Sequence, residues 1–299
     1  MQLAERKHIS NCYKSAFTCC HQHIEGGVII SNNITSFYLM CAKTISRCGK
    51  GRSVIESAAY RSASKLQDNR TGKTYDFTRK RGVVHTEILL PENAPARFAD
   101  RKTLWNEVEF VEKRKDSRLA REIVLGLPRK LLLKTSTELV REFVSKNFIP
   151  LGMCADIAIH IGHNKAEHQM EGNSADINLH NPHCHILLTD RPVDQHGFCS
   201  KKNPKWNSKE LLLEWRKEWA NIQNKMFLRK GLKTHVSHLS YKERNIDMEP
   251  TMHLGSVFAE MERRNIRTKI GDRNRTIEVR NNERKMRQRE QRRSYSRSR

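Results

Sequence analysis

The segment MCADIAIHI, residues 153–161, alternates without a break. Met153, Ala155, Ile157 and Ile159 take one side, and Cys154, Asp156, Ala158 and His160 take the other. A period of two belongs to a β-strand, and a side that is wholly apolar faces a core. The chain therefore builds a sheet, and one of its strands closes with a histidine on the less apolar face. A second stretch, HNPHCHILL at 180–188, sets three more histidines in front of an aliphatic run.

If 183–189 is a strand, His183 and His185 share a face and Cys184 points to the opposite one. Two imidazoles two residues apart can reach one ion, and a third ligand has to come from elsewhere. His160 suits that role, because antiparallel pairing of the two strands brings it beside the pair. His163, His168 and His180 fall in the connecting loop region and compete for the position, although His180 is out of phase with 183 and 185. Three neutral imidazoles leave the full +2 charge of a divalent ion available, which suits an anionic substrate such as phosphate. Surface histidines at a strand end, or a purely structural zinc, fit the same spacing.

The remaining pattern predicts strands at FYLMCAKTI (37–45), VVHTEILLP (83–91) and REIVLGLP (121–128), with a helix around 102–115. Two capping boxes, Ser53 with Glu56 and Thr135 with Glu138, each predict a helix start. The first helix carries an apolar stripe of Val54, Ile55, Ala58, Ala59, Ser62 and Leu66. Tyr60 falls roughly 150° from the centre of that stripe, so it should project from the open, polar face. NSKELLLEWRKEWANIQNKMFLRKG reads as a long amphipathic helix with Leu212, Trp215, Trp219, Ile222 and Met226 on its core side and Gly231 as its stop. Strands in adjacent pairs, broken by helices, predict an α+β fold with a mainly antiparallel sheet flanked by helices.

The charge points to a partner. Lys and Arg number 56 against 33 Asp and Glu, a formal +23 over 299 residues. A polyanion normally balances such an excess: nucleic acid first, an anionic membrane surface second. No stretch approaches 18 consecutive apolar residues, and the N-terminus lacks the apolar core of a secretory signal. Eight scattered cysteines without a CxxC pair predict reduced thiols in a cytoplasm. Residues 1–36, with the cluster CCHQH, read as a mobile extension or an upstream-extended start. From 262 onward the chain has 15 Lys and Arg against 5 Asp and Glu. It ends in RRSYSRSR, a solvated and partly disordered basic tail.

A tyrosine hydroxyl on an open helix face, close to a cation site in so basic a protein, is a candidate nucleophile for a phosphodiester. Attack by Tyr60 would exchange one phosphodiester for another and leave the strand linked to the protein.

Five segments belong together: AKTISRCGKGRSVIESAAYRSASKL, GKTYDFTRKRGVVHTEILLPENAP, LAREIVLGLP, IAIHI followed by NPHCHILLTDR, and NIDMEPTMHLG. In this order they resemble the MobA/MobL family of plasmid-mobilisation relaxases, within the HUH endonucleases. The resemblance runs in order from about Phe37 to about Ile277. It implies a relaxase domain at 37–261, an extension at 1–36 and a basic, helical or disordered tail at 262–299. It implies Tyr60 as the nucleophile, His160, His183 and His185 as ligands of a divalent metal (Mg²⁺ or Mn²⁺), and Glu122 as an acid that orients a ligand histidine. The implied partners are single-stranded DNA at a transfer origin, relaxosome accessory proteins and a type IV secretion coupling protein. The implied setting is a bacterial cytoplasm, with passage to the recipient cell alongside the DNA. Leu39 and Val124 depart from the family pattern, standing where relatives often have a histidine and an acid, and the spacing between His160 and His183 is longer than usual. A rolling-circle replication initiator would use the same residues. A non-catalytic DNA- or RNA-binding protein with a structural metal would share only the charge and the histidines.

Overall fold

A strand with two unlike faces needs two unlike neighbours, and the central sheet of this protein has them. The computed structural model describes residues 29–31, 34–36, 38–47, 53–129, 131–162 and 181–297. The expectations for residues 1–28, including CCHQH, and for His163, His168 and His180 lie outside the described residues.

In chain order, a short hairpin pairs β1 (Ile29–Ser31) with β2 (Ile34–Ser36). Then follow β3 (Met40–Ser46), α1 (Val54–Ser62), the hairpin β4 (Lys65–Gln67) and β5 (Thr74–Asp76), and β6 (Val83–Leu89). Next come α2 (Arg101–Val111), β7 (Arg118–Gly126), α3 (Leu133–Asn147), β8 (Ala155–His160) and β9 (His183–Thr189). A two-residue pair, β10 (Val193–Asp194) and β11 (Gly197–Phe198), precedes α4 (Lys209–Arg229). Helices α5 (Gly255–Arg263) and α6 (Lys269–Arg297) complete the series. The central sheet runs β3-β7-β9-β8-β6, and every neighbouring pair is antiparallel. The α+β expectation holds.

One face of the sheet is largely apolar. Ala155, Ile157 and Ile159 join Cys184, Ile186, Leu188, Ile123 and Leu125 against α3 and α4. Trp219 packs edge-on to Phe143 and Trp215 edge-on to Phe148, with ring centroids 5.3 and 5.0 Å apart. The tryptophans of α4 are core, as their spacing predicts, and Gly231 follows that helix with φ +65°.

The other face is apolar only over part of its area. Ala120, Cys154 and Leu187 pack beneath Val54, Ile55, Ala58 and Ala59 of α1 and Leu104, Trp105 and Val108 of α2. Asp156 is buried there, yet both its oxygens are used. Arg101 grips it through two hydrogen bonds of 2.8 Å, and Trp105 Nε1 donates a third at 2.8 Å. A buried carboxylate gripped in this way fixes α2 to the sheet. The rest of this face carries the histidines.

Two local expectations are corrected. Leu66 belongs to β4, because α1 ends at Ser62 and Ala63 turns left-handed at φ 51°. Thr135 does not cap α3. The helix starts at Leu133, and Ser136 N already bonds to Leu132 O at 2.9 Å. Of the two forms expected for the basic C-terminal stretch, the helical one is found, from Lys269 through Arg297. Acidic side chains hold its first half: Glu262 accepts from Thr268 N and Arg275, while Glu249 accepts from Arg280 and Arg284. Counting charges along the sequence shows the excess of arginine but not this pairing.

The described residues fall into two compact units, one within Val28–Val236 and one within Ser237–Arg299. Among the described residues no helix is long and apolar enough to cross a membrane, and Cys154, Cys184 and Cys199 are free thiols.

Candidate metal centre and active site

The register of β8 and β9 assembles the histidines. His160 lies opposite His183, and Ala158 lies opposite His185, so all three imidazoles emerge on one face. Their ring centroids are 4.7 to 5.3 Å apart, and one ligand atom from each lies within 4.8 Å of the others.

Each ring also has a partner on its far side. His185 Nδ1 bonds to Glu122 Oε1 at 2.7 Å, His183 Nδ1 to the Asn181 carbonyl at 2.8 Å, and His160 Nε2 to the Arg61 carbonyl at 2.6 Å. Carbonyls and carboxylates only accept, so these three nitrogens carry the hydrogens. The lone pairs are thereby left on Nε2 of His183 and His185 and on Nδ1 of His160. Asn181 reaches its position with φ 47°, a left-handed conformation that asparagine tolerates better than most residues.

Burial, reinforced by neighbouring histidine and lysine charge, brings the pKa of His160 down to about 2. His185 is lowered to about 4, again chiefly by burial, and His183 also falls below its ordinary value. All three rings are neutral at physiological pH, the form in which imidazole ligates a metal. Neutral donors with outward hydrogen bonds fit a divalent transition-type ion.

Glu122 is the hub behind them. It is fully buried at 0% exposure and lies next to His185, Arg61 Nε at 2.5 Å and Lys43 Nζ at 2.5 Å. Burial pushes its pKa up, but the Arg61 charge and the His185 hydrogen bond outweigh that and hold it well below the usual carboxylate range. Lys43 arrives by register, opposite Glu122 in the β3–β7 pair. Arg61 arrives from α1, where its NH1 also reaches the Ser57 carbonyl at 2.6 Å.

Tyr60 immediately precedes Arg61. Helix α1 is capped by the Ser53 hydroxyl, which accepts from Ile55 N, and its buried side is Val54, Ile55, Ala58 and Ala59. That phase turns Tyr60 away from the core, as expected, but not into the open. The side chain is half-buried, edge-on to Phe77 with centroids 5.3 Å apart and beneath Lys80, whose Nζ lies 3.8 Å from the ring centre. The hairpin β4–β5 and the turn after it cover the face that helical phase leaves exposed. Burial raises the Tyr60 pKa, and the nearby Arg61 charge offsets part of that rise.

The structure thus gathers His160, His183, His185 and Glu122 into one cluster and sets Tyr60 on the helix that Arg61 ties to it. Sequence reasoning missed Lys43, Arg61, Lys80 and Asn181. Arg61 left a trace, as a cation beside the candidate nucleophile; the others depend on register or turn geometry.

The sequence model of the MobA/MobL family matches residues 52–264. The chain belongs to the MobA/MobL family. The matched stretch of this MobA/MobL chain contains Tyr60, Glu122 and all three clustered histidines. Among its relatives, the conjugal transfer protein TraA of Agrobacterium fabrum is 35% identical over 244 residues, covering 72% of this chain. The mobilization protein MobL of Acidithiobacillus ferridurans is 32% identical over 247 residues, covering 77% of this chain. The chain spans 21% of the length of that TraA and 64% of that MobL. A chain solved in work on the molecular basis of vancomycin resistance transfer in Staphylococcus aureus has the same fold. It is 37% identical with a TM-score of 0.59, over 68% of this chain and 99% of the other.

Proposed function

We propose that this MobA/MobL chain is a relaxase: it nicks one DNA strand at a plasmid transfer origin and remains attached to the 5′ end. The observation that carries this reading is the single residue step between Tyr60 and Arg61, whose carbonyl holds His160 and whose guanidinium holds Glu122. A nucleophile and a three-imidazole cluster are tied together by one arginine.

The reaction is an exchange of phosphodiesters. Tyr60 Oη attacks the scissile phosphorus and loses its proton, the bond from phosphorus to the 3′ oxygen breaks, and that oxygen takes a proton to become a free hydroxyl. The 5′ phosphate stays on the tyrosine, and the step is reversible because one phosphodiester replaces another. His160, His183 and His185 would hold a divalent metal, and when bound there Mg²⁺ or Mn²⁺ supplies Lewis-acid charge to a non-bridging phosphate oxygen. Glu122 keeps His185 in the tautomer that presents Nε2. We assign the reaction to residues 37–261, with 262–299 as a basic appendage and 1–36 as an extension. The +23 formal charge suits single-stranded DNA as the partner. Family membership suggests relaxosome accessory proteins and a type IV coupling protein as further partners, action in a bacterial cytoplasm, and transfer with the DNA.

The test is a denaturing gel with a labelled single-stranded transfer-origin oligonucleotide, with Mg²⁺ or Mn²⁺ and with EDTA. A metal-dependent, protein-linked 5′ fragment is expected, and it should vanish in Tyr60→Phe. Binding without an adduct across several origins and metals would leave a DNA-binding protein in its place.

A further inference from the structure

Lys80 takes no part in the reaction as written, yet its Nζ touches the candidate nucleophile twice. The β4–β5 hairpin hangs directly from the end of α1. Phe77 N returns to Ser64 O at 3.1 Å, and Lys80 N closes a turn on Phe77 O at 2.8 Å. That turn comes back over the last turn of the helix, so Tyr60 is held between Phe77 and Lys80.

The backbone contact answers a local need. In a continuing helix the Ser64 amide would bond to the Tyr60 carbonyl. Here Ser64 N bonds to Ala59 O at 3.0 Å instead, because Ala63 has turned left-handed. Lys80 Nζ donates to the Tyr60 carbonyl at 2.8 Å. A side-chain donor suits a helix C-terminus, whose last carbonyls lack partners within the helix.

The ring contact is not explained by capping. The same Nζ lies 3.8 Å from the centre of the Tyr60 ring, within cation–π reach in its charged form, while burial and then the Arg61 charge bring its pKa down to about 7. Phe77 meets that ring at 86°, so its two neighbours restrict it from different directions. One nitrogen therefore meets both the main chain and the side chain of a single residue.

We propose that Lys80 is a positioning residue for the nucleophile, holding the Tyr60 ring in the orientation from which Oη attacks. The proposal rests on the reading of Tyr60 as nucleophile. Misorienting a reacting group costs rate rather than affinity, by about a hundredfold for a displacement of about 1 Å.

The test compares the full-length wild type with Lys80→Met, Lys80→Arg and Tyr60→Phe, using the transfer-origin oligonucleotide and Mn²⁺ at saturation. In Lys80→Met the single-turnover rate of adduct formation should fall about 10- to 100-fold. The oligonucleotide Kd should change by no more than about fivefold, the range of one exposed ion pair, and Mn²⁺ affinity should hold. Lys80→Arg should recover part of the rate. A second readout needs neither metal nor DNA. In a ¹³C-tyrosine spectrum the Tyr60 signal, identified by its loss in Tyr60→Phe, should move in Lys80→Met while the other tyrosines stay. An unchanged rate would overturn the proposal. So would a rate loss matched by an equal loss of oligonucleotide or Mn²⁺ affinity, or an unmoved Tyr60 signal. A wild type that forms no adduct overturns the nucleophile assignment itself, and the spectrum then still reports whether Lys80 holds the ring.

Discussion

Arg61 Nε meets Glu122 Oε1 at 2.5 Å, on the same oxygen that receives His185 Nδ1 at 2.7 Å. Two donors from different parts of the chain converge on one lone-pair-bearing atom inside the protein. The carboxylate therefore links α1 to β9, and its neighbours set its charge state.

Arg61→Gln removes the main cation facing a fully buried carboxylate and leaves Lys43 as the remaining one. Breaking a buried pair from one side typically costs 3–5 kcal/mol, and with Lys43 still present a loss of about 3 kcal/mol is expected. Urea unfolding of the metal-free protein measures it. A midpoint equal to wild type would mean that Glu122 does not depend on Arg61.

Glu122→Gln keeps the shape and the burial but weakens the acceptor behind His185. Metal affinity should drop by roughly 10- to 100-fold. Manganese titration followed by calorimetry reads this directly, and an unchanged isotherm would separate Glu122 from the metal site.

His183→Ala or His185→Ala should abolish adduct formation while preserving most of the salt-sensitive DNA binding, which comes from Lys and Arg contacts with phosphates. Binding measured at several salt concentrations checks the second half. If affinity collapses in step with cleavage, the histidines are structural.

Acid should destabilise the metal-free protein well before its ordinary carboxylates titrate. The pKa values of His160 and His185 lie near 2 and 4 in the fold against an ordinary 6.5, so the unfolded chain binds protons that the folded chain refuses. The stability this gives is complete above about pH 6.5 and drains away as pH falls from there towards 4 and below. The thermal midpoint should decline between pH 7 and pH 5, and His185→Ala should flatten that slope. A wild-type midpoint constant over this range would contradict the buried, neutral histidines.

Side-chain alternation alone placed His160, His183 and His185 on one face and Cys184 on the other, because a period of two leaves no freedom once the strands are granted. It also put Trp215 and Trp219 in the core. The phase of α1 turned Tyr60 off the apolar side correctly, but it carries no information about a hairpin folding over it, so Phe77 and Lys80 could not be foreseen. Lys43 meets Glu122 through the β3–β7 register, which neither strand states by itself. His160 is held by a main-chain carbonyl, and every residue has one of those. Thr135 failed as a cap because the serine, threonine and glutamate spacing that marks a helix start also occurs inside a first turn. Composition left the C-terminal stretch open between helix and disorder, because its stabilising acids, Glu249 and Glu262, lie outside the helix they hold.

Strand β9 interleaves its two duties residue by residue: His183 and His185 face the cluster, while Cys184 and Ile186 face the tryptophan core. A slip of one position against β8 or β7 would send the imidazoles into that core and hand the ion a cysteine and an isoleucine. A misregistered molecule would thus lose its stability and the proposed metal site together. The fraction of a preparation able to take up manganese then becomes a count of correctly paired sheets, a quality assay that needs no DNA substrate.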